Sequence, residues 1–230
     1  MWVNNIVGSI QPIEEVIKII KQFPRIKLHV DSVQGMGKIK PNFNFNDVDL
    51  FTISSHKING LKSSGMLIVN DKVVLSSIIK GSAQQNGYRP GTIDVSLAAS
   101  TTKALMLCQK EIDEHYEYVR KLHTYFKESL TGLPNVLING ASRSYSPYIL
   151  NISVLSTESE TLIHYLENYE IYVAAGSACN SKIKKPEKTI YAMTNDERRS
   201  VTSLRISLSY VTTFNEIDEF VKCLRKYLEK

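Results

Sequence analysis

The residues best suited to chemistry follow two short apolar segments of the chain. Ser54-Ser55-His56-Lys57 comes directly after the run 48–53, whose composition is typical of a buried parallel strand. Upstream, a second short strand predicted over 26–30 leads into Asp31. Neighbouring parallel strands end at one edge of an α/β sheet, and ligands bind at that edge. We therefore expect an amine and a carboxylate on adjoining strand ends.

An amine and a carboxylate in this arrangement suit pyridoxal phosphate. This cofactor needs a lysine for its Schiff base and an acid beside its pyridine nitrogen. A lysine after a strand is more often an ordinary solvated loop residue, and Asp31 has the alternative role of capping a helix. The spacing between Asp31 and Lys57, together with the Gly-rich segment 81–92, favours the functional interpretation.

The overall composition excludes several classes of protein. A hydrophobic content of 43% and a net charge of +5 are typical of a globular chain of one large or two small domains. The sequence lacks a basic stripe with interleaved aromatic residues, which would be typical of nucleic-acid binding. It also lacks an apolar run that would predict a membrane span or a signal peptide. Three widely spaced cysteines make neither a disulfide framework nor a zinc site. We expect a cytoplasmic protein.

Hydrophobic periodicity predicts alternating strands and helices throughout the chain. In the first half, the expected elements are a helix over 12–23, strands over 26–30, 48–53 and 65–69, and a long helical region over about 95–130. Their order predicts a parallel sheet with crossover connections. In the second half, the expected strands are 136–138, 148–154, 171–173 and 203–208, and the expected helices are 159–168, 186–193 and 214–228.

Six motifs in this order resemble those of the class V aminotransferases, which are fold-type I pyridoxal phosphate enzymes, and within them the cysteine desulfurases of the NifS/IscS type. The motifs are Val3-Asn4-Asn5, Asp31-Ser32-Val33-Gln34, Ser54-Ser55-His56-Lys57, Arg89-Pro90-Gly91-Thr92, Gly176-Ser177-Ala178-Cys179 and Leu204-Arg205-Ile206-Ser207-Leu208. The resemblance implies an α/β fold: the later part of a parallel-sheet cofactor domain over 1–112, then a small α+β C-terminal domain over 113–230.

The resemblance also implies roles for the motif residues at the cofactor. Lys57 would bond covalently to pyridoxal phosphate and then move protons at the substrate, while Asp31 would keep the pyridine nitrogen protonated. Other polar side chains would contact the rest of the cofactor: Gln34 and Asn5 at its phenolic oxygen, and Ser54, His56 and Thr92 at its phosphate.

For the substrate, the resemblance implies conversion of L-cysteine to L-alanine. Arg205, with Asn5, would bind the substrate carboxylate, although simple strand alternation leaves a surface-facing Arg205 as an alternative. Cys179 would take the sulfur as a persulfide and pass it to an acceptor protein for iron–sulfur cluster or thiolation pathways. Cys108 and Cys223 fall in helical patterns and are expected to be packing residues.

The resemblance further implies a partner chain. The loop that holds Arg89 and Thr92 reaches the other subunit in the family, which predicts a homodimer. The family's N-terminal part, with its ring-stacking histidine, has no counterpart here, and Ser55 stands where the family has glycine. Two alternatives therefore stay open: an inactive half-enzyme that needs its N-terminal part from another chain, and a different class V reaction such as transamination or selenocysteine lysis.

Overall fold

A computed structural model describes residues 1–140, 143–176 and 186–229 of the chain. These residues form two compact units. The first unit comprises Met1–Trp2 and Gln11–Ile112, and the second comprises Val3–Ile10 and Asp113–Lys230. Residues 3–10 therefore belong with the C-terminal half of the chain. The assignment of residues 1–112 to a cofactor domain and 113–230 to a small domain stays a prediction.

The first unit contains one three-stranded sheet in the order β1-β2-β3. Its elements are helix α1 (Ile13–Ile20), strands β1 (His29–Asp31), β2 (Leu50–Ser54) and β3 (Gly65–Val69), and helix α2 (Val95–Lys110). Strands β1 and β2 are parallel, as expected, but β3 runs antiparallel to β2. The expectation of an all-parallel sheet was wrong at β3 because a parallel return needs a crossover of about a dozen residues or more, and the segment between Ser54 and Gly65 is too short.

One small apolar cluster of the first unit joins β2 to α2. Met36, Ile53, Ile58 and Ala104 are its buried members. At the start of the chain, Trp2 is 1% exposed, and its ring lies edge-on to Phe43 with centroids 5.2 Å apart. Trp2 is therefore a buried aromatic residue of this unit.

The second unit contains a separate antiparallel sheet in the order β4-β5-β6. Its elements are α3 (Ile112–Leu130), β4 (Val136–Asn139), β5 (Ile149–Val154), α4 (Ser159–Glu167), α5 (Lys188–Thr194), α6 (Glu197–Val201), β6 (Ser203–Ser207) and α7 (Phe214–Leu228). Every residue of β5 is buried. One large apolar cluster joins α3, α4 and α7 to β5 and β6, so this unit has the α+β core that was predicted.

Two expected elements differ from the structure. The helical region over 95–130 is two helices, α2 and α3, because Glu111 leaves the helical conformation with φ −111° and ψ 9°. The strand expected over 171–173 is absent from the described residues, and an isolated bridge pairs Ala174 with Arg205 instead. Among the described residues, no helix is long and apolar enough to cross a bilayer.

Candidate active site

The amine and the carboxylate follow adjoining parallel strands of the first unit. Strand β1 ends at Asp31, which pairs in register with Thr52 of β2. Strand β2 ends at Ser54 and continues directly into a 3₁₀ helix, Ser55–Ile58, that carries Lys57. Because both strands run in the same direction, their carboxyl ends meet at the sheet edge where α/β proteins bind ligands.

The turn that carries Lys57 is short and closed at both ends. The Ser55 N–H donates to the Ser64 carbonyl at 3.0 Å, and the Gly60 N–H donates to the Ser55 carbonyl at 3.0 Å. Asn59 closes the turn in the left-handed conformation, with φ 62°, which asparagine tolerates better than most residues. Lys57 itself is half-buried, whereas the preceding His56 is exposed.

A hydroxyl and an imidazole lie beside the lysine turn. Ser54 Oγ is 2.9 Å from His56 Nδ1, and the donor depends on the histidine tautomer. Two such groups, one at each side of a strand end, are able to donate hydrogen bonds to an anion. The pair is therefore suited to a phosphate group at this edge.

The Asp31 carboxylate is exposed and shapes its own turn. Its Oδ1 accepts from the Val33 N–H at 3.0 Å, at the start of a turn and not of a helix. The Asp31 carbonyl accepts from the Trp2 N–H at 2.7 Å. Three residues on, Gln34 Oε1 accepts from Lys38 Nζ at 3.2 Å. The first carboxylate oxygen is thus bonded locally, while the side chain as a whole remains accessible to a ligand.

Arg89 and Thr92 lie on an exposed irregular segment that precedes α2. The guanidinium Nη1 of Arg89 donates to the Pro90 carbonyl at 2.7 Å, and Thr92 is exposed. The structure does not bring Thr92 into contact with the lysine turn, so its role at the phosphate stays a prediction.

In the second unit, Arg205 and Asn5 contact each other. Arg205 is half-buried in the centre of β6, opposite Asn151 of β5, and its Nη1 donates to the Asn5 carbonyl at 3.3 Å. The Arg205 N–H also donates to the Ala174 carbonyl at 2.7 Å. The side chain of Arg205 thus contacts the turn of Asn5, and its role in binding a substrate carboxylate stays a prediction.

The turn that contains Asn5 is built by its neighbours. Asn4 Oδ1 accepts from the N–H groups of Ile6 and Val7, at 2.9 and 3.0 Å. Gly8, with φ +71°, donates to the Asn4 carbonyl, and a Cβ on it would lie 3.2 Å from the carbonyl oxygens of Ser146 and Ile149. A side chain at position 8 would therefore be strained and crowded.

Sequence reasoning missed a buried polar network beneath this turn. Asn151 Nδ2 donates to the Ile6 carbonyl at 3.3 Å, and Asn151 Oδ1 accepts from Asn139 Nδ2 at 2.7 Å. Arg199 Nε in turn donates to Asn139 Oδ1. The available signal was an asparagine inside the largely apolar run of β5, because a buried amide needs partners.

The cysteines divide by position. Cys108 lies in α2 and Cys223 is buried in α7, as their helical patterns predicted. Burial is the main cause that raises the pKa of both thiols, which favours the inert protonated form. The proposed nucleophile Cys179 lies outside the described residues, so its role rests on the sequence.

The residues of the first unit form a donor set that fits pyridoxal phosphate. Asp31 offers a carboxylate, Lys57 a partly buried residue with an amine, and Ser54 with His56 a hydroxyl and an imidazole, all at or directly after adjoining strand ends. A carboxylate and a lysine are the two groups that this cofactor requires of a protein.

Comparison with known proteins places this geometry in a family. Residues 1–220 match the family Aminotransferase class-V. A NifS/IcsS protein homolog of Lactobacillus delbrueckii subsp. bulgaricus is 33% identical over 227 residues, which cover 96% of this chain and 58% of that protein. A mitosomal cysteine desulfurase of Trachipleistophora hominis is 35% identical, over 96% of this chain and 51% of that protein. The chain spans little more than half the length of these relatives.

Solved structures agree with the sequence match. A NifS-like protein from Rickettsia africae superposes with a TM-score of 0.90 at 28% identity, over 100% of this chain and 61% of that chain. A second NifS-like protein gives 0.89 at 30% identity, over 100% and 60%. These likenesses confirm the fold class predicted from the motifs. The chain therefore belongs to the aminotransferase class-V family.

Proposed function

We propose that this chain acts as a pyridoxal phosphate-dependent cysteine desulfurase, which converts L-cysteine to L-alanine and retains the sulfur as a persulfide. The observation that carries the proposal is the placement of Asp31 and Lys57 after adjoining parallel strands. Membership of the aminotransferase class-V family supports the cofactor. Relatives described as cysteine desulfurases support the reaction.

The residues of the first unit would hold and assist the cofactor. Pyridoxal phosphate, when bound, withdraws electrons from the α-carbon of an amino acid. Asp31 keeps the pyridine nitrogen protonated through a charged hydrogen bond. Lys57 anchors the cofactor and then carries a proton to or from the α-carbon. Ser54 and His56, with Thr92, donate to the phosphate.

The remaining proposed residues would act on the substrate. The guanidinium of Arg205 binds the α-carboxylate of L-cysteine, since a planar fork of donors matches a carboxylate, and Asn5 lies beside it. Gln34 and Asn5 would bind the phenolic oxygen of the cofactor, as the family resemblance implies. The Cys179 thiolate attacks the substrate sulfur. A sulfur–sulfur bond forms, the carbon–sulfur bond breaks, and its electron pair stays on the substrate carbon, which takes a proton to give alanine.

The first test is the visible spectrum of the purified chain with added pyridoxal phosphate. We expect an absorbance band that is present in the wild-type chain and in Lys62→Ala, and absent in Lys57→Ala. Lys62 is the matched control because it is exposed and five residues downstream of Lys57. A band that survives Lys57→Ala would overturn the assignment of the lysine.

The second test separates desulfuration from other class V reactions. With L-cysteine as substrate, Cys179→Ala should abolish both alanine and protein persulfide, whereas Cys108→Ser should leave both. Alanine production that survives Cys179→Ala would contradict the persulfide step. It would favour transamination or selenocysteine lysis, which can be assayed with other amino donors and with selenocysteine.

A second candidate function follows from the surface of the first unit. Large apolar side chains are strongly exposed there, including Val74 at 95%, Ile78 at 96% and Val95 at 72%. Exposed apolar side chains in such number are typical of an interaction surface. We propose that a second copy of the chain covers them. The alternative is a non-catalytic chain that becomes active only with a complementing N-terminal half.

Light scattering tests the partner directly. We expect a dimer that Ile78→Ser weakens, whereas Lys72→Ser, also exposed, has no effect. A monomer that gains desulfurase activity only when a complementing half is added would support the alternative. We further propose that the chain transfers its persulfide sulfur to an acceptor protein of an iron–sulfur cluster or thiolation pathway, and that it does so in the cytoplasm. Transfer of radiolabelled sulfur would identify the acceptor protein, and cell fractionation would test the location.

A further inference from the structure

Two buried hydroxyls join the lysine turn to helix α2. Ser55, the first residue of the 3₁₀ helix, is 0% exposed, and Thr101 of α2 is 1% exposed. Thr101 Oγ1 lies 3.0 Å from Ser55 Oγ and 2.8 Å from the Leu97 carbonyl oxygen. The Thr101 hydroxyl has one proton to donate and two lone pairs to accept with, and Ser64 Oγ lies 2.9 Å from it as a third partner.

The Ser55 hydroxyl is closely packed by Gly60. A Cβ on Gly60 would collide with Ser55 Oγ and would lie 3.3 Å from the Ala104 side chain. The backbone N–H and carbonyl of Ser55 are both hydrogen-bonded, to Ser64 and to Gly60. Ser55 is thus fixed by its backbone, by its side chain and by the packing against it.

Helix α2 also contacts the far end of the same turn. The Cys108 thiol donates to the Ile58 carbonyl at 3.5 Å, and Ile58 packs in the core cluster with Ala104. Lys57 lies between the two contact points, directly before Ile58. One rigid helix therefore holds the turn on both sides of the lysine.

A simpler explanation would treat Thr101 as an ordinary helical threonine. Threonine in a helix often donates back to the carbonyl four residues earlier, and the neighbouring Thr102 does so, with Oγ1 2.9 Å from the Ala98 carbonyl. Thr102 is exposed, whereas Thr101 is buried. The contacts to Ser55 and Ser64 are what distinguish Thr101, and they lead to the lysine turn.

We propose that Thr101 is a positioning residue for Lys57: its buried hydroxyl fixes Ser55 and thereby sets the direction in which the 3₁₀ helix presents the lysine amine. The proposal rests on the proposed role of Lys57 at the cofactor. Preorganisation of this kind matters because a reactive group held in the correct geometry reacts faster than one that samples many orientations.

The first measurement needs no cofactor. Amide hydrogen exchange should become about tenfold faster at Gly60 and within 55–58 in Thr101→Val, the factor expected for loss of one buried hydrogen bond. Thr101→Ser should restore the wild-type rates, and Thr102→Val should match the wild-type chain throughout. Amides of the second unit should not change. Equal acceleration everywhere, or none at the turn, would overturn the proposal.

The second measurement reports on the lysine. Pyridoxal phosphate is trapped on the chain with borohydride, and the initial rate of labelling at Lys57 is read from its peptide. We expect Thr101→Val and Ser55→Ala each to lower this rate about tenfold, and the double variant to lower it no further, because both remove the same contact. Additive losses, or an equal loss in Thr102→Val, would overturn the positioning role.

The two measurements separate failure of the inference from failure of the proposed function. A wild-type chain that takes no label at Lys57 would refute the cofactor role of the lysine. If amide exchange at the turn were still faster in Thr101→Val, the structural part of the inference would stand without the cofactor role: helix α2 would still fix the lysine turn. Labelling at Lys57 with no effect of Thr101→Val would leave the function and remove the inference.

Discussion

The turn that carries Lys57 and the strand that carries Arg205 are held in different ways. Lys57 lies on a one-turn 3₁₀ helix fixed by hydroxyl contacts to α2, above a cluster of four buried residues. Arg205 is the middle residue of β6, in an antiparallel sheet that packs with three helices around one large apolar cluster. The comparison teaches that the proposed carboxylate-binding residue rests on a deep core, whereas the proposed cofactor lysine depends on a few specific contacts.

This difference has a consequence for local stability. Segments with few buried apolar contacts open at lower free energy than segments in a large core. We therefore expect the lysine turn to respond to single hydroxyl changes, and the second unit to respond mainly to core and buried-amide changes. Four predictions test the second-unit side of that contrast, from the largest expected effect to the smallest.

The largest effect should come from the core of the second unit. Leu166 is 0% exposed in the cluster of α4, and Leu166→Ala should lower the free energy of unfolding by about 2–5 kcal/mol. Chemical denaturation measures this. Leu61→Ala is the matched control because Leu61 is 56% exposed, and an equal cost for the two variants would contradict the contrast.

Acid should loosen the second unit through His123. Burial, and then the nearby Lys127, lowers the pKa of His123 to about 4, below the unfolded value of about 6.5. The unfolded chain therefore binds the proton first. The contribution of neutral His123 is complete above pH 6.5 and is lost as the pH falls towards 4, on the order of 3 kcal/mol.

Denaturation at several pH values checks this prediction. His123→Phe, which keeps a ring against Tyr145, should flatten the pH dependence between 6.5 and 4. His164→Phe should not, because His164 is exposed. Identical pH profiles for the wild-type chain and His123→Phe would show that the buried imidazole is not the source.

The next largest loss of stability is expected at Asn151, whose buried amide lies beneath the Asn5 turn. Asn151→Ala removes hydrogen bonds to the Ile6 carbonyl and to Asn139, and buried groups left without partners cost about 1–3 kcal/mol. Asn168→Ala, which loses an exposed hydrogen bond to the His164 carbonyl, should cost much less. Equal losses of stability would mean that the network does not support the turn.

The smallest stability change, with a specific functional change, is expected at Arg205. Arg205→Lys loses the planar fork that suits a carboxylate, so KM for L-cysteine should rise about tenfold or more while kcat changes less. Arg198→Lys is the control because its Nε donates to the Leu155 carbonyl from an exposed position. A fall in kcat alone would contradict a role in substrate binding.

The sequence predicted those features that depend on local patterns. Apolar runs followed by Asp31 and Lys57 indicated the parallel pair β1 and β2, and the amphipathic period indicated α7 with the bounds that the structure has. To predict that β3 is antiparallel, one must know that it pairs with β2. Periodicity does not contain that information, although the short connection before Gly65 was a usable signal.

Other features were hidden because they join distant residues. Thr101 lies 46 positions from Ser55, and Asn151 lies 145 positions from Ile6. A threonine within a helix and an asparagine within a strand have many possible partners, and only the folded chain selects one. For the same reason, the association of residues 3–10 with the second unit could not be predicted from local pattern.

The most direct test of the central claim is a peptide map after borohydride reduction of the chain with pyridoxal phosphate. We predict that label accumulates on Lys57 and that Asp31→Ala lowers this labelling, while Lys62 and the other exposed lysines take little. Circular dichroism would show that each variant is folded. A folded chain that carries no more label on Lys57 than on Lys62 would contradict the proposed cofactor site.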